Sequence, residues 1–172
     1  ARYAVGYCDR SARRAASVAG DVYVTNDVSR ISMAFHLKEV LQLPDVAVDW
    51  LMDLWDTIQV FDDVVDGDEV SRQDMLEVVV KSLVTMPTNP FYATNVSVLQ
   101  PIIATAILKW KAADDVELAG EADEKSFVWR ASYYDVILTV VLLCHGWDVA
   151  MEKAASIMRL YGEDYTSYKE EF

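Results

Sequence analysis

The chain has 172 residues, enough for one domain with a substantial core and too few to expect two. Hydrophobic residues make up 53% and charged residues 25%, a globular balance that argues against disorder. Fifteen Lys and Arg stand against 28 Asp and Glu, a net charge of −13. A surface that acidic repels phosphate backbones, so nucleic-acid binding is not expected; divalent cations or a basic protein partner suit it better.

In chain order, residues 1–25 form a basic, partly irregular arm, with Arg2, Arg10, Arg13 and Arg14 against Asp9 in its first twenty positions. Within it, Ser11–Ala19 is suited to a short helix and Val22-Tyr23-Val24-Thr25 to a short extended piece. Asn26 or Asp27 is a candidate N-cap for a helix to about Leu43, with Ile31, Ala34, Phe35, Leu37 and Val40 or Leu41 inward. Pro44 stops that helix, and Asp45 is placed to cap the next.

Asp45–Asp68 is the longest unbroken amphipathic pattern. Ala47, Leu51, Leu54, Ile58, Phe61 and Val65 recur at three- and four-residue spacing, the mark of a core-facing stripe. Asp49, Asp53, Asp56 and Asp63 gather within roughly 80° on the other side, as on a solvated face. Gly67 supplies a left-handed stop. Ser71 and Asp74 then open a helix to about Val84, with Met75, Leu76, Val79, Val80 and Leu83 inward. Met86-Pro-Thr-Asn-Pro90 reads as a loop. The following helix starts at Asn95 or Ser97, with Pro101 in its first turn, and runs to Leu118.

Asp123 or Ser126 opens a helix to about His145, apolar nearly all round from Val136 to Cys144 and so expected to be the most buried. A last helix runs from an Asp148 cap to Tyr161, followed by an acidic, aromatic tail with scope for a further helical turn. The expected fold is therefore all-α, a single-domain bundle of about six helices over residues 1–172. Cys8 and Cys144 lack metal-ligand spacing, and Cys144 lies in an apolar run, which fits inert thiols in a reducing cytoplasm. That run is far shorter than the roughly 20 residues of a membrane span.

Asp62, Asp63 and Asp66 form the one dense carboxylate group with a defined helical geometry. Asp62 and Asp66 stand one turn apart and project together, a spacing at which two carboxylates can share a magnesium ion that bridges to phosphate. Without a cation they repel, and near a helix C-terminus they also oppose the macrodipole. Lys109 and Arg130 are the candidate phosphate contacts across from them. His36 and His145 have no partner at metal spacing, and Trp129, Tyr133, Tyr134 and Asp135 surround Arg130 as a polar-aromatic patch.

Phe61-Asp62-Asp63-Val64-Val65-Asp66 resembles the first aspartate-rich motif, DDxxD, of the class I isoprenoid synthases. That resemblance implies an all-α fold with a magnesium–diphosphate site, Asp62 and Asp66 as metal ligands and Asp63 as their partner. The chain is much shorter than those enzymes and lacks a second metal motif, which points to a shortened relative of the fold. Asp53-x-x-Asp56 with Asp63-x-x-Asp66 also resembles the acidic pairs of all-α nucleotide pyrophosphatases. The reading preferred from sequence is a non-catalytic helical protein that binds a protein partner or itself. The alternative is a magnesium-dependent protein acting on a diphosphate; catalytic residues stay unassigned in both.

Overall fold

The computed structural model describes residues 30–171. The basic arm, the Ser11–Ala19 and Val22–Thr25 expectations, the Asn26 or Asp27 cap and Cys8 lie outside the described residues. Among those described there are eight helices and no strand, so the all-α expectation holds and the count of six does not.

Helix α1 spans residues 30–40 and ends in a π-helical turn, His36–Val40, where the Leu41 amide reaches back to the His36 carbonyl. Gln42 then takes a left-handed backbone, φ 52°, and Leu43 turns into the core. Helix α2 is Asp45–Asp66. Pro44, not Asp45, holds its cap position, and Asp45 pairs with Lys38 at 2.9 Å. Gly67, at φ 77°, closes α2 in a Schellman arrangement: the Asp68 amide bonds the Asp63 carbonyl and the Gly67 amide that of Val64.

Helix α3 runs through Arg72–Val80, a π-helical turn at Lys81–Thr85 and a last turn Met86–Thr88. Ser71 caps it through the Asp74 amide, as its sequence predicts. Helix α4 is Pro90–Leu118. The expected loop at 86–90 shrinks to Asn89, whose side chain accepts from the Phe91 and Tyr92 amides and donates to the Val46 carbonyl. Pro90 belongs at the first helical position, where a missing N–H costs nothing. Pro101 consequently lies in the helix interior.

Asp123 and Ser126 form a reciprocal capping box at the start of α5, Glu124–Arg130. The single helix expected here is two. A break at Ala131 separates α5 from α6, Ser132–His145, at an angle of 48°. Helix α7 is Trp147–Met158, entered from Gly146 instead of Asp148. Helix α8, Tyr165–Glu171, forms in the aromatic tail, with Asp164 accepting from the Thr166 and Ser167 amides.

The core joins the first half of α2 to α6, with Trp50, Leu51, Ile137, Val140 and Val141 sealed among Leu37, Leu99 and Ile157. Each such side chain contributes about 1.5–3 kcal/mol on burial. Tyr133 anchors the pair by donating to the Leu51 carbonyl at 2.8 Å, and Tyr134 donates to Leu160 at 3.0 Å. Helix α6 is the most enclosed long helix, as expected from its composition.

The predicted apolar stripes hold only in part. On α2, Ala47, Leu51 and Leu54 are buried while Phe61 and Val65 are exposed; Ile31 and Phe35 of α1 are exposed as well. On α3, Leu76, Val79, Val80 and Leu83 face outward, Leu83 at 73% exposure. The α3 side that meets α2 carries Lys81, Thr85 and Met86 instead. Lys81 reaches Asp56 at 2.5 Å, the Thr85 hydroxyl donates to Asp53 at 2.9 Å, and the Thr57 hydroxyl approaches the Met86 sulfur. Val78 is the one buried apolar residue of α3, and an ionic seam takes the place of the predicted stripe.

Candidate functional site

Four aspartates expected on one solvated face divide in the structure. Asp49 is exposed. Asp53 and Asp56 are half-buried and tie neighbouring helices to α2: Arg30 grips both Asp56 oxygens at 2.9 and 3.1 Å while Lys81 bridges to Asp53 and Asp56. That cluster of four clamps α1 and α3 to α2, which accounts for these carboxylates structurally.

Asp62 differs. It is 2% exposed, and the Trp110 indole on α4 donates to its Oδ1 at 3.2 Å. A polar group this deep costs free energy unless it is hydrogen-bonded, and the indole supplies one such bond. Asp63 is half-buried and its carbonyl serves the helix stop. Asp66 is the last residue of α2, and its side chain lies outside the described part. Among the described residues no group of three or more His, Cys, Asp or Glu is placed to hold a metal ion.

The two cations expected to face the aspartates are engaged elsewhere. Lys109 pairs with Asp135 on α6 at 2.5 Å. Arg130, 1% exposed, lies 3.0 Å from Glu117 of α4, itself sealed from solvent. Above that pair sits Tyr168 of α8, its hydroxyl 2.7 Å from Glu117 Oε1 and 2.6 Å from Ser126 Oγ, its ring 5.4 Å from the Arg130 guanidinium carbon. Burial raises the Tyr168 hydroxyl pKa most; the Ser126 bond opposes that shift and Glu117 adds to it. Sequence reasoning missed this network. The signal was an arginine inside an apolar helix, which must find a carboxylate when buried.

His36 and His145 both bond backbone carbonyls, of Ser32 and Leu41. Cys144 is half-buried, and desolvation lifts its thiol pKa, consistent with an inert sulfur. Among the described residues two shallow clefts stand out. One, of about 180 Å³, lies between Leu54, Ser82, Met86, Tyr92 and Ile103. The other, of about 290 Å³, lies between Gln42, His145, Val149 and Lys153. Asp62 lines neither.

The most extensive feature is apolar. From Phe91 to Leu108 helix α4 carries no charged residue, and of those eighteen positions Leu99 alone is fully buried. Val96, Val98, Ile107 and Leu108 are exposed, Leu108 at 70%. Among the described residues α4 is the one single helix long and apolar enough to cross a membrane, although no uninterrupted apolar run in the sequence signals it. Thr, Asn, Ser and Gln break the run without adding charge.

No family model, curated protein or solved structure matches the chain. The likeness to isoprenoid synthases therefore rests on residues 61–66.

Proposed function

We propose that the chain is a non-catalytic helical interaction protein that associates with a second copy of itself through the outward face of α4. The observation that carries this reading is the uncharged, exposed stretch Phe91–Leu108. A long helix without charge on any side is normally enclosed, and here one side is open. On a body of net charge −13, an uncharged face is also one where two copies meet with little like-charge repulsion. At 1.5 Å per residue the stretch is roughly 27 Å long, enough for a sustained helix pair.

Sedimentation equilibrium of the full chain over a hundredfold concentration range tests this reading. A mass rising toward the dimer supports it. A monomer at every concentration contradicts it, and so does flotation of the chain with neutral phosphatidylcholine vesicles, because lipid would then be what covers α4.

The buried Asp62 carboxylate favours a second reading, a magnesium-dependent site for a diphosphate at Asp62, Asp63 and Asp66. Residues that hold magnesium supply few carboxylates and leave the remaining positions to water and phosphate oxygens, so a sparse set is compatible with it. In this reading millimolar magnesium with pyrophosphate raises the unfolding midpoint of the wild type and not of Asp62→Asn. Equal midpoints with and without the ligands would remove it.

A further inference from the structure

Helix α8 is held to the body through an unusual plug. Tyr168 is fully buried although it belongs to a seven-residue helix at the end of the described chain. Among the described side chains of α8 Tyr168 is the one that is buried, and residues 159–164, which connect it to α7, are non-helical and include Gly162. What receives the phenol is built by other helices: Glu117 from α4, and Ser126, Phe127 and Arg130 from α5.

Each part of a tyrosine side chain is met separately. The hydroxyl donates to Glu117 Oε1 at 2.7 Å and shares a 2.6 Å hydrogen bond with Ser126 Oγ. The ring packs at 5.3 Å from Phe127 and lies under the Arg130 guanidinium at 5.4 Å. The polar walls are themselves sealed: Glu117 and Arg130 pair at 3.0 Å, and Ser126 also completes the capping box that starts α5. Phenylalanine would fill the same volume and leave the carboxylate and serine without the hydroxyl, the situation in which a site discriminates most strongly. The second copy is the natural outside source of such a group, because its tail presents the same tyrosine with Tyr161 and Tyr165 in the same register around Phe127.

We propose that Glu117, Ser126, Phe127 and Arg130 form a tyrosine-recognition socket, filled in cis by the chain's own tail and able to take the tail of a second copy in trans. The tail carries Glu163, Asp164, Glu170 and Glu171 against Lys169, so exchange onto an acidic body is opposed by charge and promoted by salt.

The test is a fluorescein-labelled peptide of residues 161–172 titrated into full-length Tyr168→Ala in 0.5 M NaCl, read by fluorescence anisotropy, with circular dichroism to establish the fold. Saturable binding is expected to Tyr168→Ala. Wild type, whose socket is filled, should bind at least about tenfold more weakly, and the peptide carrying Tyr168→Phe should lose binding by a similar factor. Equal binding to both proteins, equal binding by both peptides, or no binding to a folded Tyr168→Ala would overturn the socket. Should Tyr168→Ala not fold, hydrogen exchange of the wild-type α8 amides decides: faster exchange with excess peptide supports the socket, and unchanged exchange overturns it. The α4 face takes no part in this assay, so its outcome is separate from the dimer reading.

Discussion

Helices α4 and α6 are the two long, charge-poor helices of the molecule, and the structure treats them in opposite ways. Helix α6 buries Tyr133, Tyr134, Val136, Ile137, Val140 and Val141 between α2, α4 and α7. Helix α4 seals Leu99, Ala113, Asp114 and Glu117 against the body and leaves Val96, Val98, Ile107 and Leu108 outside. Similar composition therefore does two jobs. On α6 it builds a core, and on α4 half of it is available to something else.

The sharpest way to break that contrast is mutation at matched positions. In chemical denaturation at concentrations where the chain is monomeric, Ile137→Ala should cost about 2–5 kcal/mol of stability, whereas Leu108→Ala should stay within about 0.5 kcal/mol. A comparable loss at Leu108 would mean that α4 is already covered in the monomer.

Next in size is the polar interior where α4 meets α5. Arg130→Met should destabilise by about 3–5 kcal/mol, because it removes the cation paired with the Glu117 carboxylate in a sealed site. Adding Glu117→Gln should recover part of that loss. A smaller effect is expected at the seam between α2 and α3, where Lys81→Met leaves Arg30 still pairing Asp56. A cost of about 1 kcal/mol is expected for this partly exposed pair.

The smallest prediction concerns alkaline pH. Burial raises the pKa values of Tyr133, Tyr161 and Tyr168. The folded state thus holds phenolic protons that the unfolded chain releases near pH 10, so stability is full below about pH 10 and falls above it. Tyr168→Phe should reduce the steepness of that fall in pH-dependent denaturation; an unchanged slope would place the proton elsewhere.

Local punctuation was the most legible part of the sequence. Pro44, Gly67, Ser71, the Asp123–Ser126 pair and Gly146 stand at helix boundaries because each acts through its own backbone geometry or a bond within three residues. The apolar stripe of α2 was legible as far as Ile58, which packs against the core, and failed at the exposed Phe61 and Val65. On α3 the same reasoning failed. Apolar periodicity assumes that the greasier side turns inward, whereas Lys81 and Thr85 meet Asp53 and Asp56 across helices. The π-helical turn at Lys81–Thr85 also alters the register.

Met86–Pro90 was read as a loop because Pro punctuates chains, yet Asn89 followed by Pro90 is equally a helix start. The Ala131 break and α8 had no comparable local mark. Both belong to the region where Arg130, Glu117 and Tyr168 converge from three helices, a meeting decided by tertiary packing. At the aspartate motif, sequence located Asp62, Asp63 and Asp66 correctly on α2. It could not reveal that Trp110 would cover Asp62 or that Lys109 and Arg130 would turn to Asp135 and Glu117.

The most direct test of the central claim is sedimentation equilibrium of Ile107→Glu/Leu108→Glu beside wild type at equal concentrations. If α4 is the contact between copies, wild type approaches the dimer mass as concentration rises while the double variant stays monomeric with an unchanged far-UV circular dichroism spectrum. A variant that associates as strongly as wild type, with its fold intact, would contradict the account and place the contact on another surface.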